Sequence, residues 1–211
     1  MSEVGADNGA DRPLAAGEFG GWLVEVTAAI RGEGSTDVPC GSCVACCSSS
    51  QFIHIAPDET DALAHIPKGL LFPAPRAPRG HVLMGYDEHG RCPMLSERGC
   101  SIYEHRPRTC RTYDCRVFPA AGLLPDEPDK AMIADRAAGW EFSHADDEAG
   151  VLHEAVRAAA SFMRAHAEAL GDDAAHTTTQ LAVMAVETHA LFIEGAVPAV
   201  DAVRVALRRG R

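Results

Sequence analysis

The sequence lacks a long apolar run, a recognisable leader and a surplus of positive charge. No stretch of about 18 apolar residues is present, so no membrane-spanning segment is expected. The opening residues MSEVGADNGADRPL have neither the basic nor the apolar region of a signal peptide, which predicts a cytoplasmic location. Because 19 basic residues stand against 30 acidic ones, for a net charge of −11, nucleic acid is not expected as a partner.

Familiar catalytic motifs are missing as well. The chain contains no GxGxxG, GxxxxGK(S/T), HExxH or GxSxG pattern. The sequence motifs of common nucleotide-binding proteins, zinc proteases and serine hydrolases are therefore absent. Whether the protein is an enzyme is therefore left open, and no protein partner is indicated.

What the chain does contain is cysteine, confined to two segments. A chain of 211 residues can bury a core without disulfides, and in a reducing compartment clustered cysteines indicate metal ligands or redox groups. All eight are candidate metal ligands: Cys40, Cys43, Cys46, Cys47, Cys92, Cys100, Cys110 and Cys115.

The first segment has the spacing CxxCxxCC, and the second begins with Cys92-Pro93. A CxxCxxC triplet can face one centre, and bacterial-type iron–sulfur sites combine such a triplet with a distant Cys-Pro. Adjacent cysteines in extended backbone point to opposite sides, so one of Cys46 and Cys47 is expected to face a second centre. If Cys92 completes the triplet, four cysteines are left over: Cys47, Cys100, Cys110 and Cys115. Two four-ligand sites, or one cluster with free thiols, both fit the count.

The identity of the metal also stays open. Four-cysteine zinc sites are common structural devices, but the second segment does not repeat CxxC as a zinc ribbon does. We rank an iron–sulfur cluster or iron ahead of zinc. A thioredoxin-like redox pair at CGSC is disfavoured because another CxxCC follows it.

Residues between the cysteines add further candidates. Between positions 91 and 116 the chain has six arginines and three acidic residues, and this positive excess would offset the charge of a thiolate-rich centre. A solvated surface patch or a pocket for an anion are the alternatives. His54 and His105 are the two histidines whose positions would suit a ligand.

Apolar periodicity predicts helices on both sides of the cysteines. Phe19, Trp22, Leu23, Val26 and Ile30 form one helical stripe, and the C-terminal third contains two amphipathic stretches, 152–170 and 181–192, with a third expected after Pro198. Short strands are predicted at 51–55 and 81–86 and a short helix at 58–65, whereas the prolines from 67 to 80 argue against regular structure.

The predicted fold class is α+β. Residues 1–16 are expected to be disordered and residues 17–35 to form a helix, followed by a small, metal-organised cysteine domain with few short strands at 36–120 and a helical region at 121–211.

The segments CGSCVACC, CPML and GCSIYEHRPRTCRTYDC together resemble the CxxCxxCC cysteine-cluster family, the YkgJ-like proteins described as zinc- or iron-chelating. The resemblance covers about residues 38–118, and beyond the cysteines it includes Pro93, Ile102, Tyr103, Arg106, Pro107 and Arg111. It implies a metal-binding module. Some members resemble flagellin lysine N-methylases, which implies a methyltransferase-like or other modifying enzyme as the alternative.

Overall fold

A computed structural model describes residues 13–36, 38–75 and 77–209 of the chain. Its architecture is α+β, as predicted, with 52% of the described residues in helices and 11% in small sheets. Residues 1–16 were predicted to be disordered, and residues 1–12 of this segment lie outside the described residues.

Helices dominate the chain and strands are short. The helices are α1 (Phe19–Ile30), α2 (Thr60–His65), α3 (Arg108–Thr112), α4 (Val117–Ala120), α5 (Ala131–Ala138), α6 (Asp147–Ala165), α7 (Ala167–Leu170), α8 (Thr178–Thr188) and α9 (Val200–Arg209). The strands are β1 (Leu14–Glu18), β2 (Ile53–Ile55), β3 (Leu71–Pro73), β4 (Val82–Met84), β5 (Leu95–Ser96), β6 (Gly99–Cys100) and β7 (Trp140–Ser143).

The main hydrophobic core lies where the three predicted helices α1, α6 and α8 pack against one another. Phe19, Val156 and Ala185 are fully buried there. Helix α6 begins after Asp146, whose carboxylate accepts a hydrogen bond from Ala149 N at 2.9 Å. The predicted single helix of 152–170 is broken at His166, whose ring Nδ1 contacts the Phe162 carbonyl at 2.9 Å.

Strand β1 pairs in parallel with β7, so that Leu14 lies opposite Trp140. Neither strand was predicted, and residues 14–16, expected to be disordered, belong to β1. The segment LAAGE carries no alternating apolar pattern, and its partner lies far away in sequence. The pairing fixes the start of α1 on the helical core.

The cysteine-bearing part has a second, smaller core. Strands β2, β4 and β3 form an antiparallel sheet in that order, with Ile55 and Met84 fully buried. The predicted strands at 51–55 and 81–86 are thus confirmed in shortened form. The expectation that prolines exclude regular structure was wrong for β3, because Pro73 ends a strand at the sheet edge, where no ladder N–H is needed.

A buried ion pair anchors the end of the second cysteine segment in the main core. Asp114 and Arg116 contact each other at 2.8 Å, and their side chains are 0% and 6% exposed. Trp22 Nε1 of α1 donates to Asp114 at 2.9 Å, and Arg116 Nη1 donates to the Ala16 carbonyl at 2.9 Å. Cys115, between the two charges, is consequently held against the helices.

Candidate metal centre

Tight turns bring the first four cysteines together. Cys43 N donates to the Cys40 carbonyl at 3.0 Å, across a turn in which Gly41 has φ of +56°. Residues Ala45–Ser48 then form a 3₁₀ turn, closed by a 2.9 Å hydrogen bond from Cys47 N to the Val44 carbonyl. All four cysteines face the same cavity as a result.

The second segment joins the first through backbone hydrogen bonds. Cys92 N donates to the Cys47 carbonyl at 2.7 Å, and Ser50 N donates to the Gly90 carbonyl at 2.8 Å. Gly90 has φ of +73°, and a Cβ there would collide with Ser50 Oγ, so glycine suits this crossing. The two cysteine segments therefore meet in the fold, as a site shared by the CxxCxxC triplet and Cys92 requires.

Two adjacent cavities collect the eight cysteines. The larger, of about 530 Å³, is lined by seven of them: Cys40, Cys43, Cys46, Cys47, Cys92, Cys100 and Cys110. Cys115 lines a smaller cavity of about 70 Å³ together with four that border both: Cys40, Cys43, Cys46 and Cys110. The sequence therefore folds every candidate ligand into one region.

The sulfurs are spread around this region. Among the described residues, which include all eight cysteines, no three sulfurs lie within 4.8 Å of one another. A tetrahedral zinc with Zn–S bonds of about 2.3 Å requires sulfurs about 3.8 Å apart. The arrangement leaves more space between sulfurs than one zinc ion would occupy.

Burial favours the neutral form of most thiols. It raises the pKa of Cys110 and of Cys115 to about 12, and it is also the main cause of the raised pKa of Cys40 and Cys92. Neighbouring thiols add to these shifts: Cys46, Cys92 and Cys100 act on Cys110, whereas Cys40 and Cys43 act on Cys115. Thiolates can accumulate here only when a cation compensates their charge.

Cys46 and Cys47 contact each other. The Cys47 side chain hydrogen-bonds Cys46, which lowers the pKa of Cys46 to about 7 and raises that of Cys47. The two side chains meet because the pair lies in a 3₁₀ turn rather than in the extended backbone assumed from the sequence. That one of the two faces a second centre remains a prediction. Cys46 is the one exposed cysteine of the eight.

Comparison with known proteins relates the region that contains the eight cysteines to a protein family. Residues 39–137 match the CxxCxxCC model, described as "Putative zinc- or iron-chelating domain". This segment is similar to that family, and the term CxxCxxCC domain denotes residues 39–137 from here on. The match runs beyond the residue 118 at which the sequence resemblance ended, and so includes α5. No curated protein and no solved structure matched the chain.

Cationic side chains border the cysteines of the CxxCxxCC domain, although fewer than the sequence suggested. Arg106 lines both cavities, and its charge contributes to the lowered pKa of Cys46 and offsets part of the rise in the pKa of Cys110. Arg98 and Arg111 each line one cavity. The remaining three arginines contact acidic residues: Arg91 with Asp87, Arg108 with Asp58, and Arg116 with Asp114.

Two residues outside the cysteine segments of the CxxCxxCC motif also contact the centre, and sequence reasoning missed both. Arg136 of α5 donates to the Cys40 carbonyl at 3.2 Å and lies over the Trp140 ring at 4.6 Å. Trp140 Nε1 in turn donates to Cys115 Sγ at 3.2 Å. Only the tertiary fold brings them to the cysteines, so no local pattern could have identified them.

The two histidines singled out from the sequence do not line either cysteine cavity. His54 contacts the ring of His81, with 2.9 Å between Nε2 and Nδ1. His105 contacts Asp61 at 2.9 Å. The described donors around the two cavities are therefore sulfur atoms rather than imidazole.

Proposed function

We propose that the CxxCxxCC domain holds an iron–sulfur cluster through its cysteines and serves in electron transfer, sensing or metal handling. The observation that carries this proposal is the single 530 Å³ cavity bordered by seven cysteines whose sulfurs are too widely spaced for one tetrahedral zinc. A cluster with several iron atoms is larger than a single ion and takes four cysteine thiolates.

The surroundings of the sulfurs fit such a centre. Arg106 supplies positive charge, and the Trp140 indole supplies an N–H donor to sulfur. Charge and hydrogen bonds of this kind tune the reduction potential of an iron–sulfur cluster. The chemistry that the cluster would supply is one-electron transfer.

Electrostatic interactions divide the thiols into two groups. Around the larger cavity, Cys110 interacts with Cys46, Cys92 and Cys100. Cys115, which lies against the main core, interacts with Cys40 and Cys43, and Cys40 in turn interacts with Cys46. We infer that the first cluster takes its ligands from the CxxCxxC triplet and from the second segment, beginning with Cys92. The assignment of all eight cysteines as ligands remains a prediction.

Zinc is the second candidate, since the family description names zinc beside iron. A structural zinc would need at least three sulfurs to close to about 3.8 Å. Binding of the metal itself would supply free energy for such closure.

A cysteine replacement tests whether the triplet binds the metal. Cys43→Ser, in the middle of CxxCxxC, is expected to lose most of the bound iron after anaerobic purification, because a serine hydroxyl is a poor ligand for iron or zinc. His176→Ala is the control, since His176 lies on the surface away from both cysteine cavities. Full metal content in Cys43→Ser, measured by elemental analysis, would contradict the proposed site.

Further expectations from the sequence concern location, partners and catalysis. None of the described helices is long and apolar enough to cross a membrane. A cytoplasmic location, the lack of a nucleic-acid partner and the alternative of a methyltransferase-like enzyme remain predictions.

A further inference from the structure

A group of metal-ligating side chains lies outside the cysteine cavities. Asp61 and His65 occupy one face of α2, four residues apart, and His105 ends the 3₁₀ turn Tyr103–His105. Among the described residues, these three form the one group of histidine, cysteine or acidic side chains whose ligand atoms all lie within 4.8 Å of one another.

The two imidazole rings are arranged in parallel. Their centroids are 3.5 Å apart and their planes differ by 5°. His105 Nδ1 lies 2.9 Å from the Asp61 carboxylate, whereas His65 Nδ1 lies 2.9 Å from the Asp61 backbone carbonyl and 3.6 Å from the carboxylate. Because a nitrogen lone pair lies in the plane of its ring, one of the two exposed rings must turn about its Cβ–Cγ bond before both nitrogens can face one ion with bonds of about 2.0–2.1 Å.

We propose that Asp61, His65 and His105 bind a divalent first-row transition-metal ion, such as zinc or cobalt, at a site separate from the cysteine centre. Two imidazole nitrogens and one carboxylate oxygen are a donor set that these ions accept readily. The chain can supply three ligands here, so the other coordination positions are left to water.

The local charges suit a cation. The hydrogen bond from His105 is the main cause of the lowered pKa of Asp61, so the carboxylate is ionised at neutral pH. Arg108, a nearby cation, forms an ion pair with Asp58 at 2.8 Å. The charge of Arg111 makes only the smallest contribution to the lowered pKa of Asp61. The side chains are 68%, 41% and 39% exposed for Asp61, His65 and His105, which predicts an exchangeable ion rather than a trapped one.

The site would connect two parts of the CxxCxxCC domain. Glu59, just before α2, accepts hydrogen bonds from Ala56 N at 2.9 Å and from Arg108 N, and so holds α2 beside the start of α3. His105 lies between Cys100 and Cys110 in sequence. An ion on the three ligands would therefore bridge α2 to the second cysteine segment.

Cobalt binding to the anaerobically purified full chain tests this proposal. Titration with Co²⁺ is expected to give one ion with visible d–d absorption but no thiolate charge-transfer band, because its ligands are nitrogen and oxygen. His65→Ala and His105→Ala should each weaken binding of this ion by about a hundredfold or more, since even the loss of an outer partner of a metal ligand costs about 10–100-fold. Asp61→Asn should weaken it as well.

A matched control is available in His89→Ala, because His89 is also an exposed histidine beside a carboxylate, at 3.6 Å from Glu88. This variant should bind cobalt as the parent does, and circular dichroism should show the parent's helix content in all variants. The proposal is overturned if every bound cobalt shows thiolate charge transfer, if none binds, or if the nitrogen–oxygen component survives unchanged in His65→Ala. None of these outcomes bears on metal held by the cysteines, which Cys43→Ser tests separately.

Discussion

At the scale of single residues, the position of Cys115 depends on the buried charges on either side of it. The Asp114–Arg116 pair is sealed from water and receives the indole N–H of Trp22. Two charges in such an environment are tolerated only while each compensates the other. The pair therefore holds the end of the second cysteine segment rigidly, and replacing either charged residue should destabilise the fold.

Asp114→Ala should destabilise the protein by about 3–5 kcal/mol, because it removes the carboxylate from a buried guanidinium. Asp58→Ala is the matched control: it removes the partner of Arg108 from an exposed pair at the same 2.8 Å distance and should destabilise the protein far less. Urea unfolding measures both changes. Equal losses in the two variants would contradict the role given to the buried pair.

At the scale of elements, the contact between α1 and α6 includes a buried histidine. The ring of His153 stacks on Phe19 with centroids 4.1 Å apart, and its side chain is almost fully buried. Burial, with smaller contributions from Arg157 and His144, lowers the pKa of His153 to about 4 from its ordinary 6.5. The folded protein thus keeps this ring neutral over a range in which the unfolded chain protonates it.

Stability should accordingly fall as the pH drops from 6.5 towards 4, because the unfolded state binds a proton there that the folded state does not. We expect a loss of about 2 kcal/mol from this residue, allowing for the open cavity beside the ring. His153→Leu should reduce the acid-induced loss by that amount in urea unfolding, whereas His176→Ala should not. An identical pH dependence in parent and His153→Leu would refute this assignment.

The same elements show how far the sequence could predict the fold. The stripe from Phe19 to Ile30 identified α1 because helical periodicity is a local signal, and the same holds for α6 and α8. Strands β1 and β7 were not predicted, because the pairing of two parallel strands depends on residues that are far apart in sequence. Within the site, spacing identified the cysteines, but the contacts of Arg136 and Trp140 depend on the tertiary fold. The contact of Cys46 with Cys47 depends on a local 3₁₀ turn that the cysteine spacing does not reveal.

At the scale of the whole molecule, the two cores differ in what supports them. The helical core is formed by long amphipathic helices, whereas the smaller core contains Ile55 and Met84 with few partners and borders Cys92, Cys100 and Cys110. Residues from Cys115 to Leu123 belong to the helical core. The division at residue 120 into a cysteine domain and a helical region remains a prediction.

Removing the metal should therefore destabilise the cysteine segments more than the helical core. We expect faster amide hydrogen exchange in residues 92–110 after chelation, with little change in α6 and α8. Acid should have the same effect, because metal binding displaces protons from thiols such as Cys110, whose pKa is about 12 without metal, and falling pH returns those protons. Uniform exchange across both parts after chelation would show that the metal does not organise the cysteine segments.

The most direct test of the central claim is the joint determination of iron, zinc and acid-labile sulfide in anaerobically purified protein. An iron–sulfur cluster predicts a brown protein containing iron and sulfide in comparable amounts, with visible sulfide-to-iron charge-transfer absorption that is lost in Cys43→Ser. A colourless protein with stoichiometric zinc and no sulfide would contradict the cluster and establish the cysteines as a zinc site.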